Sequence, residues 1–286
     1  MKPAAYHLGL IGYPLGHSRS PQLHHAALRH YGLAGEYTLF PIPPLPEGEP
    51  QIAALLVKLR KGELHGLNVT IPHKPSVIPY VDDLTPVARA VGAVNTLYLD
   101  GAGRLVGDNT DVPGFMEDLQ HVEGLERGPA LVLGAGGSAR AVVYGLARAG
   151  WPVRLLARRQ AQAAELIGQM QALPELAGSI LEYGTLDAEG LRSFAEDCRL
   201  VVNTTPVGMY PHTEASPWPP AVPWPRRGAV YDLVYNPPET VLVRCARRAG
   251  LAARTGGGML SAQAALAFAR WTGLEPPFDV MYKEMS

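Results

Sequence analysis

Three polar stretches in the first half of the chain carry side chains suited to proton transfer and to holding a polyhydroxylated molecule. "NVTIPHK" supplies Asn68, Thr70 and Lys74, "GAVNTL" supplies Asn95, and "GDNTDVPGF" supplies Asp108, Asn109, Thr110 and Asp111. A lysine ammonium stabilises negative charge developing on an oxygen and donates a proton to it, while a carboxylate orients the amine. Amides and hydroxyls close by bond ring hydroxyls. A fourth stretch, "GYPLGHSRSP" at residues 12–21, brackets His17, Ser18, Arg19 and Ser20 between glycines and prolines. In an extended segment Ser18 and Ser20 face the same way, with His17 and Arg19 on the other side. A helix from Pro21 then brings its N–H ends near the two hydroxyls, an arrangement for an anion.

Each residue also has a plainer role open to it. Asp111 either does chemistry or caps a helix that begins at Val112, and Asn109 or Thr110 would cap it equally well. Lys74, next to Pro75, is either a catalytic amine or an exposed loop lysine; Asn68 and Asn95 suit turns as well as ligands. Their weight comes from occurring together with a nucleotide motif. His24 and His25 are adjacent on a helix pattern and point to different faces, which does not suit a metal.

That motif is "PALVLGAGGSARAVVYGLARAG". Ala130 to Leu133 read as a buried strand; Gly134, Gly136 and Ala139 fit G-x-G-x-x-G/A; a helix runs on to about Ala149. Gly134 permits the tight turn, Gly136 admits a pyrophosphate to the backbone, and Ala139 keeps the helix close to the sheet. The next strand, "PVRLLARRQ", ends in Arg158 and Arg159, where an NAD site places an acid for the ribose 2′-OH. Guanidinium groups suit a 2′-phosphate, so NADP is expected unless both are plain surface arginines.

The elements that must position these groups are short apolar strands alternating with helical patterns. Strands are expected at 7–12, 36–41, 65–71, 95–99, 104–107, 130–134, 152–157, 180–184, 199–203, 229–234 and 252–255. Helices are expected at 21–31, 50–61, 85–91, 112–121, 137–149, 160–171, 187–196, 238–249 and 258–271. This alternation predicts an α/β fold with mainly parallel sheets. More than a hundred residues precede Gly134, enough for a separate α/β unit, and "HVEGLERGP" at 121–129 reads as the connection. The helix pattern after the second Gly-rich turn, "TGGGM" at 255–259, either finishes the second unit or crosses back to the first. The tail "PPFDVMYKEMS" reads as a surface helix or end-piece.

Composition narrows the classes. Hydrophobic residues make up 47% and charged residues 18% of the 286, a balance that builds a large core. The net charge of −1 carries no basic excess for nucleic acid. No apolar run approaches the roughly 18 residues that span a bilayer, and "MKPAAYHLGL" lacks a signal-peptide core. Cys198 and Cys245 are not a CxxC pair, which argues against a disulfide framework or structural zinc and fits a reducing cytoplasm. No metal is expected.

Together these stretches resemble the shikimate dehydrogenase family, the shikimate:NADP oxidoreductases, with quinate/shikimate dehydrogenases as close relatives. "GHSRSP", "NVTIPHK", "GAVNTL", "DNTDVPGF", "GAGGSARA", "NTTPVGM", "YDLVYNPPET" and "TGGGMLSAQAALAF" follow the family's order over nearly the whole chain. The resemblance implies a shikimate-binding domain at 1–113, a Rossmann NADP domain at 114–254, and C-terminal helices at 255–286 returning to the first, with the active site between the two. It implies that Ser18 and Ser20 hold the substrate carboxylate, and that Asn68, Thr70, Asn95, Asp111 and Gln263 hold the ring hydroxyls. Lys74 and Asp111 would be the catalytic pair, and Tyr235 would line the substrate side. Gly134, Gly136, Gly137, Ser138 and Ala139 match the phosphate turn, and Arg158 matches the adenine and 2′-phosphate arginine, with Arg159 beside it. Thr204, Leu233, Gly256 and Met259 would lie along the ribose and nicotinamide. Where many NADP-using members have Asn-Arg-Thr, this chain has Ala157, Arg158 and Arg159, losing two neutral hydrogen-bonding groups and adding a charge. The implied reaction is reversible reduction of 3-dehydroshikimate by NADPH in chorismate and aromatic amino acid biosynthesis, in a monomer or homodimer. A quinate or dual-substrate dehydrogenase and a non-catalytic NADP-sensing protein are the alternatives.

Overall fold

The structure, a computed structural model, describes residues 3–285. It packs as two compact units, one made of residues up to Gly114 together with those from Ser261 on, the other of Phe115–Leu260. In chain order the elements begin β1 (Tyr6–Gly12), α1 (Ser20–His30), β2 (Gly35–Pro41), α2 (Glu49–Arg60), β3 (Gly66–Val69), β4 (Asp83–Leu84), α3 (Pro86–Val91), β5 (Thr96–Leu99), β6 (Leu105–Asp108) and α4 (Asp111–Leu119). They continue with β7 (Ala130–Leu133), α5 (Gly137–Arg148), β8 (Val153–Ala157), α6 (Gln160–Gln171), β9 (Leu181–Thr185), α7 (Ala188–Ala195), β10 (Leu200–Asn203), β11 (Ala229–Asp232), α8 (Val241–Arg248), β12 (Ala252–Thr255), α9 (Gly257–Thr272) and α10 (Phe278–Lys283). The units divide inside α4 and α9, so 121–129 is a loop within the second unit rather than the connection. Its Gly and charged residues mark a surface turn between α4 and β7; the helix itself runs through the division without interruption.

Among the described residues the first unit's sheet has the order β2-β1-β3-β5-β6-β4. β1 is parallel to β2 and β3, and β4 to β6, whereas β5 is antiparallel to both neighbours. The β5–β6 reversal follows from a short connection at 100–104. Asp100 Oδ1 accepts from the N–H groups of Ala102 and Arg104, and Gly103 takes φ +78°. Parallel strands need a longer crossover than that. The two-residue β4 carries no periodicity, and sequence patterning passes over it. α2 forms on its spacing: Ile52, Leu55, Leu56 and Leu59 recur at i, i+3, i+4 and i+7 and pack with Ile11, Leu67, Val69 and Leu97.

The second unit's sheet has the order β12-β11-β10-β7-β8-β9, with every pairing parallel. This is the doubly wound arrangement, with its reversal between β7 and β10. β7, β10 and β11 are buried along their full length, as strands covered on both faces must be. Helix α8 begins at Val241, three residues later than the pattern predicts. Pro237 and Pro238 precede it, and Thr240 Oγ1 caps it by accepting from Val243 N–H at 3.2 Å.

Candidate active site

Strand register lays a polar row across the first sheet. Asn68 of β3 pairs with Thr96 of β5, and Thr96 with Asp108 of β6. At the end of that row Asn95 leads into β5 and Asn109 leads into α4. Asn109 Oδ1 accepts from the N–H groups of Asp111 and Val112, while its Nδ2 donates to the Ala93 carbonyl. Asn109 is therefore the cap, and the Asp111 carboxylate is left for other work.

That carboxylate meets Lys74. Lys74 Nζ donates to Asp111 Oδ2 at 2.5 Å, and both residues are buried, at 7% and 4% exposure. The lysine's loop is pinned at two places: the Lys74 carbonyl accepts from Val94 N–H, and the buried His73 ring bonds the Ile42 carbonyl at 2.8 Å. Asp111 Oδ1 accepts from Asn95 Nδ2 at 2.8 Å; Asn95 Oδ1 in turn accepts from Thr110 N–H at 2.8 Å. Asn95 Nδ2 also lies 3.5 Å from Gln263 Oε1 on α9. A buried ion pair this well bonded holds both partners in one orientation, and an ammonium with three donors has N–H groups left over for a ligand.

Asn68 is drawn in from the other side. Its Nδ2 donates to the Asn95 carbonyl and Thr96 Oγ1, and its Oδ1 accepts from the Tyr37 hydroxyl at 2.8 Å. Tyr37 stacks on the buried His24 with centroids 4.3 Å apart. Burial pushes the Tyr37 hydroxyl well above its ordinary range, the Ser20 side chain opposing it, and burial pushes His24 down to about 3, so the imidazole is neutral. Thr70 follows β3 half-buried, with its N–H on the Ile11 carbonyl.

The segment carrying Ser18 and Ser20 departs from the expected conformation. The segment is not extended: Arg19 has helical φ and ψ of −89° and −4°, and α1 starts at Ser20, not Pro21. Ser20 N–H donates to Ser18 Oγ at 3.3 Å, so the two hydroxyls are not parallel neighbours on a strand. Ser18 is half-buried and Ser20 buried, beside Tyr37. Arg19 donates to the Glu284 carbonyl, a structural tie.

In the second unit, the chain's reversal between β7 and β10 brings the Gly-rich turn against Thr204. Gly134 has φ +105°, and a Cβ there would lie 2.8 Å from Thr204 Oγ1. The fold demands glycine at this point. A Cβ at Gly136 would meet no heavy atom within 4 Å, and Gly136 is the cap of α5 with no side-chain cap bond. Open space before the free N–H groups of Gly137 and Ser138 fits a pyrophosphate, and Ala139 is buried on the sheet side. Arg158 and Arg159 follow β8, both exposed, without a hydrogen bond or ion-pair partner among the described residues. Leu233 and Tyr235 are half-buried after β11, Gly256 packs on the Leu233 carbonyl, and Met259 is buried.

Asp232 ends β11 opposite Asn203 of β10. It accepts from Thr240 Oγ1, Asn203 Nδ2 and Val234 N–H, and burial pushes it up to about 6 against those donors. The folded chain thus binds this proton more tightly than the unfolded one. The group's contribution to stability is present below the ordinary carboxylate range and is lost as pH rises through about 6. Through Asn203 Oδ1, which accepts from the Thr205 N–H and hydroxyl, it fixes the loop carrying Thr204.

Sequence reasoning passes over Tyr37 and Thr96, and gives Asn109 and Thr110 no settled place. Asn109 carries a capping signal; Tyr37 carries none, because its partner Asn68 lies 31 residues away.

Residues 10–97 match the family model described as shikimate dehydrogenase substrate binding domain, and residues 256–285 match that of the shikimate 5′-dehydrogenase C-terminal domain. The shikimate dehydrogenase (NADP(+)) of Methanothermobacter thermautotrophicus is 40% identical over 273 residues, covering 96% of this chain and 93% of its own. The structure of shikimate 5-dehydrogenase from Thermus thermophilus, in complex with NADP(H) and shikimate, matches with a TM-score of 0.82 and 37% identity, over 98% of each chain. Quinate dehydrogenase from Corynebacterium glutamicum, in complex with NAD, matches with a TM-score of 0.86 and 30% identity, again over 98% of each chain.

Proposed function

The chain belongs to the shikimate dehydrogenase family, and we propose that Lys74 and Asp111 are the pair that moves the proton as it interconverts 3-dehydroshikimate and shikimate with NADP(H). The observation that carries this reading is the buried Lys74–Asp111 bond, closed from behind by Asn95. When bound, the dinucleotide supplies or takes the hydride. Gly136, Gly137 and Ser138 would hold its pyrophosphate by backbone N–H groups, Arg158 and Arg159 its 2′-phosphate, and Thr204, Leu233, Gly256 and Met259 its ribose and nicotinamide.

The chain's own part is to hold the ring, steady the developing charge and move one proton. Reduction of the ketone puts negative charge on its oxygen. The Lys74 ammonium stabilises that charge and donates the proton that completes the hydroxyl; in the reverse direction its amine accepts the proton. Asp111 holds the ammonium in place and offers its carboxylate to a ring hydroxyl, and Asn95 keeps Asp111 from turning away. Asn68, Thr70 and Gln263 bond the remaining hydroxyls, and Ser18 and Ser20 take the carboxylate at the start of α1. NADPH as the reductant and the free thiols of Cys198 and Cys245 support a cytoplasmic setting.

The substrate side is tested by titrating shikimate into the protein in a calorimeter without cofactor. Tyr37→Phe removes the bond that holds Asn68 Oδ1, and a lost hydrogen bond of about 1 to 1.5 kcal/mol weakens binding roughly ten-fold. The Ser18→Ala/Ser20→Ala pair weakens it in the same direction. Shikimate affinity unchanged in both variants would place the polyol elsewhere.

A further inference from the structure

Asp118 sits on α4, about two helical turns beyond Asp111, and is fully buried. Its carboxylate accepts from Arg254 Nε at 3.0 and 3.1 Å, from an Arg254 terminal nitrogen at 2.6 Å, and from the Tyr231 hydroxyl at 2.5 Å. Tyr231 of β11 and Arg254 of β12 are register partners, so both reach the carboxylate from the same face of the sheet edge. Phe115, on α4 as well, meets the Tyr231 ring edge-on at 5.3 Å.

The same carboxylate is what α9 begins against. A Cβ at Gly258 would land on it, and a Cβ at Gly256 would land on the Leu233 carbonyl. The Gly256 N–H donates to the Val234 carbonyl at 3.3 Å. The "TGGGM" turn is thus wedged between the backbone at Leu233 and Val234, just after β11, on one side and Asp118 on the other, and glycine is needed at both contacts. An ion pair with two donors in a fixed fork has little freedom to shift, so the position of this turn is set by Asp118.

We propose that Asp118, held by Arg254 and Tyr231, is a positioning residue for the nicotinamide end of the dinucleotide, acting through the Gly256–Met259 turn. The proposal rests on the reading that Gly256 and Met259 receive the nicotinamide. Asp118 touches no reacting atom on this account. It decides where the start of α9 lies, and with it the surface the nicotinamide ring meets.

The test measures direct binding of two ligands, NADPH and 2′,5′-ADP, which carries the adenosine and 2′-phosphate but no nicotinamide. Asp118→Asn keeps the shape and removes the charge that the Arg254 guanidinium faces. It weakens NADPH about ten-fold and leaves 2′,5′-ADP within about two-fold of the parent. Equal losses for both ligands would reduce the cluster to a general support of the fold and overturn the proposal, as would no loss for either. A second pair of variants checks the contact itself. Gly258→Ala weakens NADPH strongly in the parent and much less in an Asp118→Ala background, where the carboxylate it strikes is gone; additive losses would count against the proposal. Met259→Ala separates the two claims. If it weakens NADPH and Asp118→Asn does not, only the positioning role falls; if neither weakens NADPH, the assignment of the turn to the nicotinamide falls and takes that role with it.

Discussion

Replacing Lys74 with alanine lowers kcat for shikimate oxidation by about 10³-fold and changes KM for shikimate only a few-fold. The size follows from two losses at once. On the proposed roles, the amine that would accept the hydroxyl proton is gone, and with it the positive charge that would face the oxygen. KM moves little because Asn68, Asn95, Asp111 and Gln263 are held by bonds that mostly do not involve the lysine. Asp111→Asn is the informative companion. It leaves Lys74 in a buried place without its carboxylate, so it costs both stability and rate, and a thermal melt alongside the kinetics separates the two. A Lys74→Ala enzyme with kcat within a few-fold of the parent would take the proton-transfer role away from Lys74 and leave Asp111 to carry it.

Arg158→Ala weakens NADP by roughly 10- to 100-fold and leaves NAD almost unchanged, since a charge-assisted contact to phosphate is worth about 1.5 to 3 kcal/mol. Both Arg158 and Arg159 are exposed and unpaired among the described residues. Neither is held by a carboxylate that a phosphate would have to displace, so their full charge is available. Arg159 precedes the first residue of α6 and makes no side-chain cap bond, so Arg159→Ala tests whether the second arginine has taken over from the neutral groups absent at 157 and 159. A double variant that loses far more than Arg158→Ala assigns the clamp to both. An Arg158→Ala protein that binds NADP as tightly as the parent would remove the clamp. Shikimate binding without cofactor is unchanged in either variant and serves as the control.

The parts of this site readable in the sequence are those whose signal is local. The Gly134 turn declares itself because a buried strand, the glycines and a helix follow one another within one stretch of chain. Arg158 and Arg159 stand out by charge where an acid is expected, and their proposed role rests on that charge and their exposure. Asp111 is ambiguous in sequence for a physical reason: an aspartate before an apolar run is a good cap, and only the bonds of Asn109 to the Asp111 and Val112 amides show that the cap is taken. Ser18 and Ser20 mislead because alternation presumes extension, whereas the turn bonded from Ser18 N–H to the Leu15 carbonyl brings the chain into α1 a residue early. Tyr37, Thr96, Tyr231 and Arg254 carry no signal, since each works through a partner on another element. The glycines of "TGGGM" stand out in the sequence, but their tightest neighbour, Asp118, lies on α4, far earlier in the chain.

Initial rates of formation and consumption of the reduced dinucleotide, NADPH or NADH, measured as absorbance with shikimate or quinate and with NADP or NAD, test the account most directly. Shikimate with NADP turns over fastest; quinate, whose extra hydroxyl on the carboxylate-bearing carbon must be buried without a partner, and NAD, which leaves the arginines without a 2′-phosphate, each lower kcat/KM by about ten-fold or more. Turnover of quinate with NAD at a rate equal to or above that of shikimate with NADP would contradict it, as would no turnover of shikimate by a protein that binds NADPH.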